Sequence, residues 1–189
     1  MNSGHNIKSL CVFCGASNDV DRKYIKDAEG FGRILAENNI RLVYGGGDSG
    51  LMGAVANSVL KEGGRVTGVF PAFLNRFESE HKSLTEMILV DDMHTRKWRM
   101  FQESDGFVIL PGGFGTLDET FEIITWKLLG VHNKPVVLYN HDGYYDDWVH
   151  MTGNIIAKGF ARKQSADLYR VVSKLAEIIP LIEKEMFVA

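Results

Sequence analysis

Residues Phe107 to Gly130, FVILPGGFGTLDETFEIITWKLLG, constrain the fold more than any other stretch of the chain. The apolar run Phe107 to Leu110 reads as a strand covered by other elements, being short, aliphatic and bounded by turn residues. Pro111, Gly112, Gly113 and Gly115 then force a tight loop, and from Thr116 onward the pattern is helical. A glycine loop between a strand end and a helix start leaves backbone N–H groups pointing outward. Such a nest, reinforced by the positive end of the helix dipole, suits a phosphate. Glu119 follows Thr116 at a spacing that puts both on one helix face. The dipole there favours an ionised carboxylate, fit to accept a proton or to face a cation. A Thr-x-x-Glu spacing is also a capping box, which would be the sufficient reading of it alone. Directly after Pro-Gly-Gly-x-Gly, the site reading takes precedence.

The rest of the chain repeats the strand–loop–helix theme. Strands are expected at Ile7 to Phe13, Arg41 to Tyr44, Arg65 to Phe70, Leu84 to Val90, Pro135 to Tyr139 and Leu168 to Val172. Helices are expected at Asp21 to Asn38, Asp91 to Ser104, Tyr144 to Lys158 and Ser173 to Met186, with Ser173 as N-cap of the last. The segment AFLNRFESEHKS after Pro71 has no regular pattern. Strands alternating with helices give an α/β fold: a Rossmann-like, doubly wound parallel sheet in three layers. At 189 residues with 45% hydrophobic content, one domain spanning the chain is expected.

A net charge of −3 gives no basic footprint, so nucleic acid is not an expected partner. The N-terminal MNSGHNIKSL lacks an apolar run of signal-peptide length, and no window reaches transmembrane length. A cytoplasmic protein with no membrane partner is expected. Cys11 and Cys14 have Cys-x-x-Cys spacing, but in extended chain such positions face opposite sides, so buried inert thiols are expected. His141, Asp142, Asp146, Asp147 and His150 lack a metal-ligand spacing and read as surface and cap residues, so no metal is expected.

A second glycine loop, Gly45-Gly46-Gly47-Asp48-Ser49-Gly50-Leu51-Met52-Gly53, contains Gly-x-Gly-x-x-Gly after a strand and before a helix. It follows the second strand rather than the first, and the next strand ends in Val69-Phe70-Pro71 without a ribose-binding acid. Gly45, Gly46 and Gly47 therefore suit one phosphate better than a dinucleotide. Gly50 and Gly53 are accounted for by close helix–sheet packing alone. Ser17, in the small-residue turn Gly15-Ala16-Ser17 ending the first strand, is either a hydroxyl donor to phosphate or a turn residue. Arg96 lies on a charged helix that starts at a strand's C-terminal end, where open α/β sheets bind ligands.

Taken together, Leu42-Val43-Tyr44-Gly45-Gly46-Gly47 with Gly50-Leu51-Met52-Gly53, Met93-His94-x-Arg96-Lys97 and Pro111-Gly112-Gly113-x-Gly115-Thr116-x-x-Glu119 resemble the LONELY GUY family. Its members are cytokinin riboside 5'-monophosphate phosphoribohydrolases, many labelled lysine decarboxylases. The resemblance runs from Val12-Phe13-Cys14-Gly15-Ala16-Ser17 to Gly159-Phe160. It implies a Rossmann-like homodimer, without cofactor, that splits an adenosine monophosphate, often N6-substituted, into base and ribose 5-phosphate. The family's catalytic pair falls on Arg96 and Glu119. Asp118 stands where many members carry a second glutamate, and Asn18-Asp19-Val20 where many have a proline–glycine turn.

On that reading, Glu119 stabilises positive charge on the sugar and deprotonates water. Gly45, Gly46, Gly47, Gly112, Gly113, Gly115 and Thr116 hold the 5'-phosphate, Lys97 adds charge, and Met93 packs against the base. The competing expectations are a nucleotide or cofactor-phosphate carrier on the same fold and, weaker for want of the ribose acid, an NAD-linked oxidoreductase. A decarboxylase would need a Schiff-base lysine with cofactor partners, and no such constellation stands out.

Overall fold

The computed structural model describes residues 7–76 and 79–188. Residues 1–6 of the N-terminal segment and residues 77 and 78 of the irregular stretch lie outside the described residues, as does residue 189. The strands are β1 (Ser9–Phe13), β2 (Arg41–Tyr44), β3 (Val66–Pro71), β4 (Glu86–Val90), β5 (Gly106–Ile109), β6 (Val136–Tyr139) and β7 (Arg170–Val172). The helices are α1 (Arg22–Glu37), α2 (Gly50–Lys61), α3 (Met93–Gln102), α4 (Phe114–Leu128), α5 (Asp146–Ala157) and α6 (Ile178–Val188).

All strand pairs are parallel, in one seven-stranded sheet of order β4-β3-β2-β1-β5-β6-β7. Side chains alternate across each strand and build two cores. Leu10, Val12, Leu42, Tyr44, Val108, Val137 and Tyr139 face α1, α2 and α6, represented by Phe31, Leu35, Val55 and Ile182. Cys11, Phe13, Val43, Phe107, Ile109, Val136 and Leu138 face α3, α4 and α5, represented by Met100, Ile123 and Trp148. This is the three-layer sandwich expected. Two-sided burial is what short, continuously apolar strands require.

From central β1 the chain steps outward through β2, β3 and β4, then returns to lay β5 on the other flank of β1. The loops leaving β1 and β5 therefore diverge to opposite sides, and the crevice between them is the ligand position of an open parallel sheet.

Several boundaries move for local reasons. Helix α3 starts later than expected because Asp92 caps it, accepting from the Thr95 N–H at 2.8 Å. Helix α4 starts at Phe114 with Gly113 as its N-cap, so Gly115 and Thr116 lie in the first turn. Thr116 and Glu119 are thus not a capping box. Ser173 does not cap α6: a short 3-10 turn, Leu175–Glu177, intervenes and the helix begins at Ile178. Pro180 in its first turn is the residue that tolerates this start, since its missing N–H would have no helical partner there.

Candidate functional site

A cavity of about 470 Å³ opens at the C-terminal ends of β1 and β5. Its walls are the turn Cys14 to Ser17, the loop and first turns of α4 (Gly112, Gly113, Gly115, Thr116, Glu119), and Arg96 from α3. The first N–H groups of a helix have no partner within it. Those of Phe114, Gly115 and Thr116 find none elsewhere among the described residues, and Gly113 offers no capping side chain. A Cβ at Gly113 or Gly115 would meet nothing within 4 Å, so both glycines look onto open space. Together with the α4 dipole, these donors give the helix start the chemistry that suits an anion.

The other glycine loop is built differently. At the start of α2, the Gly50 N–H donates to Asn18 Oδ1 at 2.8 Å, and the Leu51 and Met52 N–H groups both reach the Gly15 carbonyl, at 2.9 and 3.3 Å. Its first-turn donors are spent inside the protein. Gly45, Gly46 and Gly47 do not line the cavity. Gly45 lies behind Arg96, where a Cβ would come within 1.9 Å of the guanidinium, so its smallness makes room for the arginine, whereas a Cβ on Gly46 would meet Phe70 and Met87. The phosphate contact expected of these three glycines has no counterpart in the cavity wall.

That arginine is buried and held by backbone. Arg96 Nε donates to the Val69 carbonyl at 3.2 Å and Nη2 to the Gly45 carbonyl at 3.0 Å. The ends of β2 and β3 thus fix the guanidinium, leaving Nη1 at 3.9 Å from Glu119 Oε1. That separation is too long for a hydrogen bond but short enough for strong charge attraction in a buried setting. Glu119 lies one turn deeper than the start of α4 and is only 8% exposed.

Lys97, next in sequence, faces away from this pair. Its ammonium is 3.0 Å from Asp118 and 3.0 Å from Glu122, tying α3 to α4, and it does not line the cavity. Burial works against its charge, yet the two carboxylates offset that and hold it above the ordinary lysine value. The phosphate contact expected of Lys97 has no counterpart in this placement. Met93 also stays out of the lining; its sulfur lies 3.9 Å from Arg96 Nη1. Ser17 does line the cavity, its hydroxyl accepting from the Asp19 N–H at 3.1 Å. Thr116 packs against Gly112, where a Cβ would lie 2.1 Å from its hydroxyl.

The cavity also contains residues that the sequence reading passed over. Tyr24 of α1 and Tyr144 form an edge-to-face pair at 5.5 Å, and Val20, Leu51 and Met52 complete the apolar lining. Tyr144 was findable by the rule that singled out Arg96, because it follows the C-terminal end of β6. Cys11 and Cys14 sit in opposite cores, and burial, with Glu119 adding to it, pushes the Cys11 thiol well up. His141 pairs with Asp27, Asp142 with Lys23 at 2.8 Å, and Asp146 accepts from Asn140 at 2.8 Å.

The family model described as "Possible lysine decarboxylase" matches residues 52–182. A cytokinin riboside 5'-monophosphate phosphoribohydrolase of Rhodococcoides fascians is 47% identical over 154 residues, covering 81% of this chain and 78% of that protein. The enzyme of the same description from Arabidopsis thaliana, LOG3, is 40% identical over 184 residues, covering 94% and 86%. The chain belongs to the LONELY GUY family. Among solved structures, the molybdenum cofactor binding protein of Rippkaea orientalis superposes with a TM-score of 0.72 over 95% of this chain and 97% of that one, at 21% identity. The molybdenum cofactor carrier protein of Chlamydomonas reinhardtii gives 0.72 over 95% and 98%, at 19% identity. At such identities the likeness is one of fold, so the LONELY GUY assignment rests on the sequence relatives.

Proposed function

We propose that this LONELY GUY protein is a phosphoribohydrolase, cleaving the N-glycosidic bond of adenosine 5'-monophosphate or its N6-substituted forms to free base and ribose 5-phosphate. The observation that carries the proposal is one cavity holding both the open N-terminus of α4 and, one helical turn deeper, the Arg96–Glu119 pair. The relatives described as cytokinin riboside 5'-monophosphate phosphoribohydrolases support the same reading.

In this mechanism the 5'-phosphate takes the N–H groups of Phe114, Gly115 and Thr116, with Ser17 at the rim. The sugar then lies over Glu119. As the bond from C1′ to the base nitrogen stretches, positive charge grows on the sugar, and a fixed carboxylate lowers the energy of that state. Water attacks C1′, Glu119 takes its proton, and the bonding pair leaves with the base. Arg96, anchored by two carbonyls, keeps the carboxylate ionised and aimed. Gly45 serves at one remove by accommodating Arg96 and accepting from its Nη2.

A decarboxylase reading has no support in the lining. No lysine is among the described residues that border the cavity, so no ε-amine is available for a Schiff base. Nor is a separate cofactor needed for the hydrolysis, since helix dipole and backbone donors hold the anion. The working unit is taken to be a single nucleotide-binding domain per chain, acting as a homodimer in the cytoplasm. No described helix is long and apolar enough to cross a membrane.

Incubation with AMP and with N6-isopentenyl-AMP, followed by chromatography of the products, tests the proposal. Equimolar base and ribose 5-phosphate are expected. Tight nucleotide binding without base release would instead identify a carrier.

A further inference from the structure

The loop into α4 is an unusual piece of backbone: Gly112 and Gly113 have the greatest conformational freedom of any residues, yet it must present donors and withhold its carbonyls. Every carbonyl from Leu110 to Gly113 is in fact occupied. Leu110 O accepts from the Tyr145 hydroxyl at 2.7 Å, and Pro111 O from the Gly15 N–H at 3.0 Å. Gly112 O accepts from the Tyr144 hydroxyl at 2.7 Å, and Gly113 O from the Leu117 N–H at 3.0 Å.

The two tyrosines differ in what they control. Tyr145 is buried, burial pushes its hydroxyl far above the ordinary phenol value, and its partner carbonyl precedes a proline that has no N–H to aim. Tyr144 is 41% exposed, borders the cavity and holds the carbonyl of the Gly112–Gly113 peptide. A planar trans peptide points its carbonyl and its N–H in opposite directions, so this one bond sets the direction of the Gly113 N–H. It also occupies the oxygen that would repel an anion if the glycine pair rotated.

The turn carrying Tyr144 is itself clamped. Lys23 pairs with Asp142, Asp27 with His141, and Asn140 Oδ1 accepts from the Tyr145 N–H at 2.7 Å. The Tyr24 ring packs on Tyr144 edge to face. The phenol is therefore placed by α1 and by the β6–α5 turn, not by the loop that it holds.

We propose that Tyr144 is a positioning residue for the phosphate subsite, its hydroxyl fixing the Gly112–Gly113 peptide so that donors rather than carbonyls meet the substrate's 5'-phosphate. The inference rests on the phosphate reading of the cavity given above. It is tested with Tyr144→Phe, which removes only the hydroxyl, alongside Tyr145→Phe. The measurements are affinities for AMP and for adenosine, kcat and KM, and thermal unfolding.

Losing one hydrogen bond's worth of preorganisation predicts about tenfold weaker AMP binding in Tyr144→Phe. Adenosine affinity and Tm should stay at wild-type values, with KM rising and kcat nearly constant. Tyr145→Phe should show the reverse: a lower Tm, from an unsatisfied buried carbonyl, and an unchanged preference for AMP over adenosine. A wild-type AMP-to-adenosine ratio in Tyr144→Phe, whether or not its Tm falls, overturns the positioning role while leaving the proposed function intact. A wild-type protein without preference for AMP overturns the phosphate subsite itself, and this inference with it.

Discussion

Glu119 and Arg96 face each other at 3.9 Å, with the guanidinium held by the Val69 and Gly45 carbonyls and Nη1 also 3.9 Å from the Met93 sulfur. Such an arrangement fixes a guanidinium beside a nearly buried carboxylate in the wall of a cavity. Replacing Glu119 with Gln keeps the shape and removes the charge and the base. We expect base release to fall by roughly 10²- to 10⁴-fold, as for other positioned acid–base groups, with AMP still bound. A Glu119→Gln enzyme turning over at the wild-type rate would sink the mechanism. Arg96 and Glu119 stand out in the sequence because each follows a strand end, and the fold brings both to the wall of one cavity. The direction of Lys97 is not legible in the same way. Adjacent helix positions point about 100° apart, and only the partner helix reveals that Asp118 and Glu122 await it.

Two strand–glycine–helix elements look alike in sequence and function differently in the fold. The N-terminus of α4 is open, whereas that of α2 is closed by Gly15 and by the side chain of Asn18. Local sequence could not distinguish them, because the groups that close α2 arrive from the loop between β1 and α1, with Asn18 lying 32 residues before Gly50. Asn18 acts as an N-cap supplied from outside the helix. Asn18→Ala should therefore cost about 0.5–2 kcal/mol of stability, the usual loss for a cap, measurable by denaturant unfolding. Stability equal to wild type would mean that water replaces the amide at no cost. The strands and most helices were readable from periodicity alone. The late start of α6 was not, since Ser173 has the chemistry of a cap and nothing local reveals the 3-10 turn after it.

For the molecule as a whole, His132 links folding to pH. Its ring lies between α4 and β6, with Nε2 at 2.9 Å from the Ile123 carbonyl and Nδ1 accepting from the Lys134 N–H at 3.1 Å. Burial lowers its pKa from the ordinary 6.5, and protonating Nδ1 would set an N–H against the Lys134 N–H. With the folded pKa below the unfolded one, the unfolded chain binds the proton first. The ring's contribution is present above about pH 6.5 and is lost as pH falls toward the folded value. Unfolding free energies measured between pH 7.5 and roughly pH 5 should decline, and His132→Asn should remove that part of the slope. An unchanged slope in the variant would assign the effect elsewhere.

The surface raises the last question. Phe121, Leu128 and Leu129 on and just beyond α4, and Val131 after it, are all exposed, Leu129 to 71%. Phe121, Ile123, Ile124, Trp126, Leu128 and Leu129 make this segment apolar nearly all round, which suits burial in a core or between subunits. The fold answers half: Ile123 faces the core, while Phe121, Leu128, Leu129 and Val131 look outward. Exposed apolar side chains close together in sequence suit an interface, and a second copy of the same surface would bury them symmetrically. Leu129→Glu would place like charges opposite each other across a two-fold contact. We expect the wild-type chain to sediment as a dimer at micromolar concentration and Leu129→Glu as a monomer with the same far-UV spectrum. A wild-type monomer at every concentration, or a variant that dimerises as well as wild type, would assign those side chains another role.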